Sequence, residues 1–397
     1  MSAAPATAPV SRALVIAILA GEASGDALGA PLMRRLREVL APRKLTFVGV
    51  GGQAMEEEGL RSLFPLSEIA VMGFSAVLAR LPLILRRIRE TAEMIAATNP
   101  DALVIIDSPD FTHRVARRVR AKLPKLPVID YVSPSVWAWR PGRARAMRGY
   151  VDHVLALLPF EPAAHRRLGG PNCTYVGHPL SERLADFTPN VDEEAAREAS
   201  PPVVLVLPGS RRTEIKRLLP VFGEAIARLA STHPIRPVLP AVEELHAEIV
   251  TQTRSWPIAP EIIMGEAAKL SAFRRARAAL AASGTVTLEL ALAGVPTIAA
   301  YKVGAIEALI LRVLVTAPYV LLPNLILGEA AVPELIQESC TAKALTEGLL
   351  PLLEETVQRR TQIAALERVR SRVVLGGESP AERAARVVVG ALGQARA

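Results

Sequence analysis

The feature that most restricts the fold of this 397-residue chain is the run from Arg277 to Pro296. Arg277-Ala278-Ala279-Leu280-Ala281-Ala282 reads as a short buried strand, and Ser283-Gly284-Thr285 turns the chain into a helix carrying Leu288, Leu290 and Leu292. Gly294-Val295-Pro296 ends that helix and opens a second strand at Thr297-Ile298. Strand, helix and strand of this length form a parallel βαβ unit, because parallel neighbours need a crossover of a dozen or more residues. The Ser-Gly-Thr turn at the helix N-terminus is also an anion site, with free backbone N–H groups and the positive end of the helix dipole. Glu289 lies about one turn inside, where a carboxylate can accept both hydroxyls of a ribose. On this segment alone, an ordinary βαβ connection with a solvated Glu289 fits equally well.

The same rhythm fills the chain. Leu14–Leu19, Leu45–Val50, Ala102–Ile106, Val128–Val132 and Val154–Leu158 read as strands, with helices at Ala27–Leu40 and His113–Lys122 among them. A second series starts with Val203–Leu207 and continues through strands at 236–239 and 261–263 to the opening run. Strands alternating with helical periods predict α/β architecture, here two doubly wound Rossmann-like domains. The length also favours two domains over one core. Between the series, residues 181–202 are polar and proline-rich and read as a linker. The expected divisions are a disordered leader at 1–11, an N-terminal domain at 12–183, a C-terminal domain at 184–372 and a last helix within 373–397.

Charge narrows the partners. Lys and Arg number 47 against 39 Asp and Glu, a formal net charge of +8 that suits an acidic substrate, an anionic membrane or nucleic acid. No basic run is interleaved with aromatics, so nucleic acid is not expected as a partner. Cys173 and Cys340 are the only cysteines, which argues against a disulfide framework or a zinc site. Ala13–Ala20 resembles a signal-peptide core, but Gly21-Glu22-Ala23-Ser24-Gly25-Asp26 follows at once as a turn opening a helix. The apolar run is therefore read as the first buried strand of a cytoplasmic protein.

Two further apolar stretches are too broken to span a bilayer. Residues 69–79 are uncharged but are followed by Arg80, Pro82, Arg86, Arg87 and Arg89. Core packing and docking on an anionic membrane both suit them, with Val71, Phe74, Leu78 and Leu85 as the docking residues. Residues 305–328, interrupted by Glu307, Arg312, Pro318 and Pro323, are expected to pack in a core or at a subunit interface.

Polar residues gather at strand ends. Gly209-Ser210-Arg211 makes a second anion-type turn, with Arg211 offering a bidentate fork. Two such turns resemble a crevice for a nucleotide diphosphate. Asp107-Ser108-Pro109-Asp110 follows Ala102–Ile106, and one carboxylate is expected to act as a general base while the other caps the next helix. Glu22, Ser24 and Asp26 lie on the loop after the first strand, where Ser24 or Asp26 would otherwise be a helix cap. Trp137 and Trp139 sit with Arg140 on a loop that suits a sugar or an acyl chain, or serve as buried staples. His178 lies near the domain boundary. No metal and no cofactor is expected.

Together these motifs resemble the lipid-A-disaccharide synthase family of Gram-negative bacteria. The resemblance rests on Gly21–Asp26, Asp107–Phe111, the run Ser133-Pro134-Ser135-Val136-Trp137-Ala138-Trp139, Leu158–Glu161, Val176–Pro179, Leu207–Arg211, Ser283–Thr285 with Glu289, and Pro323–Ile326. It implies a GT-B fold, two Rossmann-like domains facing a central cleft, and an inverting glycosyltransferase. The implied substrates are UDP-2,3-diacylglucosamine and 2,3-diacylglucosamine 1-phosphate (lipid X). On matching positions it implies Asp110 as base, with Asp107 second; His178, near the presumed hinge, is the alternative base. It also implies Arg211 on the leaving diphosphate, Glu289 on the ribose and Asn324 at the nucleotide site. Peripheral association with the inner membrane is implied too, as monomer or homodimer, with the last helix packed back on the N-terminal domain or exchanged between subunits. Rival readings are an epimerase acting on UDP-N-acetylglucosamine, the peptidoglycan N-acetylglucosaminyltransferase, and a non-catalytic membrane scaffold.

Overall fold

The computed structural model describes the backbone of residues 13–70 and 74–394, and their side chains except those of 74–79, 306, 310 and 394. The chain divides into two compact units. Unit 1 takes residues up to Pro179 together with those from Gly376, and unit 2 runs from Leu180 to Leu375.

Unit 1 is built on seven parallel strands: β1 (Leu14–Ala20), β2 (Leu45–Val50), β3 (Arg61–Ser62), β4 (Ala102–Ile106), β5 (Val128–Tyr131), β6 (His153–Ala156) and β7 (Asn172–Tyr175). Their order is β3-β2-β1-β4-β5-β6-β7. The apolar run at 14–20 is thus an interior strand, with Leu14–Leu19 pairing along β2 and Ile16–Ala20 along β4. Its side chains serve both faces. Ile16 and Ile18 join one core with Leu32, Met33 and Leu36, while Ala17 and Leu19 join another with Ile88 and Ile95. Burial on both faces explains why it reads as continuously apolar rather than alternating.

The Pro380–Gln394 helix completes the first of these cores through Ala384, Ala385, Val388 and Leu392. Arg35 pairs with Glu382 beside that contact, at 2.5 Å.

Unit 2 repeats the plan with six parallel strands: β8 (Val203–Leu207), β9 (Arg236–Ala241), β10 (Glu261–Met264), β11 (Ala278–Ala282), β12 (Thr297–Tyr301) and β13 (Glu334–Ile336). The order is β10-β9-β8-β11-β12-β13. Val204, Val206 and Leu280 bury against Ile215, Leu219 and Phe222 of the Arg212–Ala230 helix. Both units are α/β and doubly wound, as the alternation of periods predicts.

Three expectations are corrected or narrowed. Residues 181–202 are largely helical, not a loose linker. Asn190 and Glu193 form a capping box on the Val191–Glu198 helix, Arg274 pairs with Glu193 at 2.8 Å, and Arg197 donates to the carbonyls of Arg274 and Ala293. The segment therefore packs into unit 2 through charge-assisted bonds that its polar composition conceals. Second, core packing accounts for only part of the 305–328 stretch, and the subunit-interface alternative stands. Leu321, Ile326 and Leu327 are inside, but Leu309, Val313 and Leu314 of the Ala305–Leu314 helix face solvent. Third, neither Asp107 nor Asp110 caps the Thr112–Lys122 helix, whose N-terminus has no side-chain cap.

Among the described residues no helix is long and apolar enough to cross a membrane. Val71 lies outside the described residues. Phe74 and Leu78 lie on the Phe74–Thr98 helix, with their side chains outside the described set. Leu85 and Leu81 on that helix are exposed, while Ile88, Ala92 and Ile95 turn into the core.

Candidate active site at the two switch points

In a doubly wound sheet the strand order reverses at one point, and ligands bind beyond the carboxyl ends of the two strands that flank it. In unit 1 the reversal lies between β1 and β4, and in unit 2 between β8 and β11. The four polar motifs singled out from the sequence follow those four strands. Gly21–Asp26 follows β1, Asp107–Asp110 follows β4, Gly209–Arg211 follows β8 and Ser283–Thr285 follows β11.

In unit 2 the two turns converge on a cavity of about 890 Å³, lined by Gly209, Ser210, Arg211, Ser283, Gly284, Thr285 and Glu289 among others. The Thr285–Leu292 helix starts at Gly284 with no side chain capping it, so its first amides are available to an anion. Glu289 is mostly buried on the next turn, and Lys269 holds it with 3.3 Å contacts to both carboxylate oxygens.

Sequence reasoning missed Lys269. It also missed Glu214, whose carboxylate lies in the second turn. Glu214 Oε2 accepts from the amides of Ser210 (3.1 Å) and Arg211 (3.2 Å), and Oε1 accepts from Arg211 Nη1 at 3.0 Å. Gly209 makes this possible. Its φ is +109°, and a Cβ there would lie 2.3 Å from Glu214 Oε2. An internal carboxylate thus occupies the groups expected to meet a phosphate. The spacing of Arg211 and Glu214 is that of a helix capping box, the signal that could have found it.

Asn324 lies outside this group. It is fully buried, exchanging hydrogen bonds with the Val332 backbone and donating to Glu334 Oε1 at 2.8 Å, so it ties together the 324–334 loop.

In unit 1 the loops after β1 and β4 touch. A Cβ on Gly21 would fall 2.2 Å from Ser108 Cβ, so only glycine permits the approach. It brings Glu22, Ser24 and Asp107 together. Ser24 Oγ donates to Asp107 Oδ2 at 3.1 Å, and the Ser108 amide donates to Oδ1 at 2.8 Å. Burial, and then the neighbouring Asp107 carboxylate, push the Glu22 carboxyl above its usual range. Asp110 stands apart, its side chain 89% exposed, with Arg143 at 3.6 Å.

Asp26, in contrast, is buried. Its carboxylate accepts from the amides of Gly52 (2.8 Å), Ala54 (3.0 Å) and Met55 (3.1 Å), capping the Gln53–Glu57 helix. That use leaves it turned away from solvent.

The tryptophan loop follows β5 and is held from below. Trp137 Nε1 donates to Glu161 Oε1 at 3.1 Å and packs edge-on against Phe160, while Ser133 Oγ lies 2.8 Å from His165 Nε2. Burial pushes the Glu161 carboxyl up to about 7, against hydrogen bonds from the Leu158 amide and the Trp137 indole. Trp139 is exposed with Arg140 stacked 4.3 Å from its ring centre. Burial holds the His178 imidazole down to about 4. Asp107, Ser108, Val132 and Arg140, all on the loops after β4 and β5, take positive φ between 44° and 84°. Backbone strain of this kind gathers where a loop is shaped for a ligand.

The family model described as lipid-A-disaccharide synthetase matches residues 16–388. The chain belongs to this family. It is 54% identical to the lipid-A-disaccharide synthase of Nitrobacter winogradskyi over 99% of both chains, and 43% identical to that of Rhodospirillum centenum over 95% and 94%. The fold is similar to that of MurG from Acinetobacter baumannii, with a TM-score of 0.56, 14% identity, and coverage of 96% of this chain and all of the other. A UDP-GlcNAc 2-epimerase from Methanocaldococcus jannaschii, solved with UDP-GlcNAc and UDP, gives a TM-score of 0.56 at 15% identity over the same shares. These likenesses show the GT-B fold of the chain, and family membership decides against the epimerase, peptidoglycan and scaffold readings.

Proposed function

We propose that the chain transfers the 2,3-diacylglucosaminyl group of UDP-2,3-diacylglucosamine to the 6-hydroxyl of 2,3-diacylglucosamine 1-phosphate. The acceptor oxygen bonds to the anomeric carbon. The bond from that carbon to the UDP oxygen breaks, its electron pair leaving on UDP, and the hydroxyl proton passes to a carboxylate. Attack opposite the leaving group inverts the centre and gives a β-1,6-linked disaccharide 1-phosphate. The observation that carries this reading is the unit 2 cavity, where two anion-type turns meet Arg211 and a buried carboxylate suited to ribose hydroxyls.

In this reading the amides of Ser283–Thr285, and those of Gly209–Ser210 with Arg211 in competition with Glu214, neutralise the diphosphate, and Glu289 accepts from the ribose. Glu22, Ser24, Trp137 and Trp139 contact the acceptor. Asp110 is the base, because its carboxylate is solvent-facing while that of Asp107 is already engaged by Ser24 and Ser108. His178 ranks behind both, since taking the proton would leave a charged imidazolium where burial disfavours that charge.

The protein docks on the cytoplasmic face of the inner membrane through Val71, Phe74, Leu78 and Leu85, with Arg80 and Arg86 towards anionic headgroups. The exposure of Leu81 and Leu85 on that helix supports this assignment. Contacts of the Pro380–Gln394 helix serve a monomer or a homodimer exchanging that helix, and light scattering separates the two.

Mass spectrometry of the product from the two acylated substrates tests the reaction. The expected result is the disaccharide phosphate with stoichiometric UDP. Turnover of soluble UDP-N-acetylglucosamine in place of the acylated donor would overturn it.

A further inference from the structure

We propose that the exposed apolar face of the Ala305–Leu314 helix, continued by the loop to Val320, seats the acyl chains of the sugar-nucleotide donor. This rests on the donor reading given above. Leu309 and Val313 are 65% and 77% exposed, and Leu314, Val315 and Val320 are exposed beside them. From Ala308 to Gly328 the chain carries one charge, Arg312, and Glu338 already takes it at 2.7 Å. A surface so free of unpaired charge suits hydrocarbon.

Position supplies the occupant. The helix follows β12, which pairs directly with β11, and β11 ends in the Ser283–Thr285 turn of the nucleotide cavity. Arg217, on the helix that begins at the Gly209–Arg211 turn, pairs with Glu307 at 3.6 Å, and its guanidinium closes over Gly304. The apolar face is therefore tied to the turn assigned to the diphosphate. Cavity wall from β10, with Ile263 and Met264, lies on the other side of that turn and suits the base. A donor laid with its base towards β10 and its diphosphate at the β8 and β11 turns sends its sugar towards β12. The acyl chains on that sugar then meet the Leu309 and Val313 face, whereas the cavity itself is lined largely by polar and small residues.

The test replaces both exposed residues, Leu309→Ser with Val313→Ser, and compares donors with long and with two-carbon acyl groups in detergent micelles. Without these two large apolar side chains, KM for the long-chain donor should rise about tenfold or more, while KM for the short-chain donor and Kd for UDP stay within about twofold. Equal changes for both donors, or no change for either, would overturn the assignment. Loss of vesicle binding with micellar KM intact would give the face to the bilayer instead, and a shift from dimer to monomer would make it an interface. If the serine pair lowers the thermal midpoint, the alanine pair carries the same comparison. Failure of the unaltered protein to use the long-chain donor at all would sink the functional reading itself, independently of these variants.

Discussion

Arg211→Ala is the most direct probe of the nucleotide cavity, and its size can be worked from the contacts. A charge-assisted hydrogen bond contributes about 1.5–3 kcal/mol. Arg211 does not offer all of that to a ligand, because its side chain is 72% exposed and Nη1 is already given to Glu214 at 3.0 Å. A diphosphate must compete with that carboxylate and with solvent, so the net loss on truncation should be about 1–2 kcal/mol, or about 5- to 30-fold in Kd. Uridine has no phosphate and should bind nearly as before. Titration calorimetry with UDP and uridine, at low and high salt, measures both, and the UDP effect should shrink as salt screens it. A double-mutant cycle sharpens the argument. With Glu214→Gln the competitor loses its charge, so Arg211→Ala in that background should cost closer to the full 1.5–3 kcal/mol for UDP. Equal weakening of UDP and uridine, or a smaller Arg211 effect once Glu214 is neutral, would refute the reasoning. The second result would make Glu214 the group that aims Arg211 rather than its rival.

Asp110→Asn should lower turnover by about 10²–10⁴-fold with ligand binding nearly unchanged; abolished turnover in a His178 variant beside an intact Asp110→Asn would move the base to His178. Asp26→Asn should destabilise the protein by about 1–3 kcal/mol in urea unfolding, since an amide group would face the donors now satisfied by the carboxylate, and UDP affinity should not move. Loss of ligand binding at unchanged stability would return Asp26 to the binding site. Glu161 has its pKa raised in the fold, so the stability it contributes is full below about 4.5 and is lost as pH rises through about 7. Glu161→Gln should flatten the stability profile across that window, and an unaltered slope would show that another group sets it. Replacing Leu81 and Leu85 by Ser should release protein from anionic vesicles without unfolding it, each buried apolar side chain contributing up to about 1.5–3 kcal/mol; an unfolded variant would assign both residues to the core.

Much of this architecture is legible from periodicity. The strands at 102–106 and 203–207 begin and end where the apolar runs do, because strands covered on both faces admit few polar residues. Gly209–Arg211 and Ser283–Thr285 are legible for a related reason. A turn that binds anions with its own amides needs small residues, and small residues between a strand and a helix are visible in the sequence. Polar segments that fold are harder to read. Asn190, Glu193, Arg197 and Arg274 hold residues 181–202 to unit 2 through partners 77 to 96 residues away, along with one local cap. No local composition announces such partners.

The acidic residues show why sequence position is a weaker guide to role than strand-end position is to site. Glu22, Asp26, Asp107, Asp110 and Glu214 all follow switch-point strands. Yet Asp26 is spent on three amides, Glu214 on two amides and a guanidinium, and Glu22 shares its surroundings with Asp107. A carboxylate near several free N–H groups is stabilised by them whether or not a ligand ever arrives, so the motif that binds an anion also attracts the chain's own. Each such carboxylate lowers the number of sites open to substrate while it orders the turn. Competition between internal and substrate anions is therefore built into the fold at β8. By the same logic Asp110, with one long contact to Arg143, is the carboxylate of this set left with most of its accepting capacity unspent.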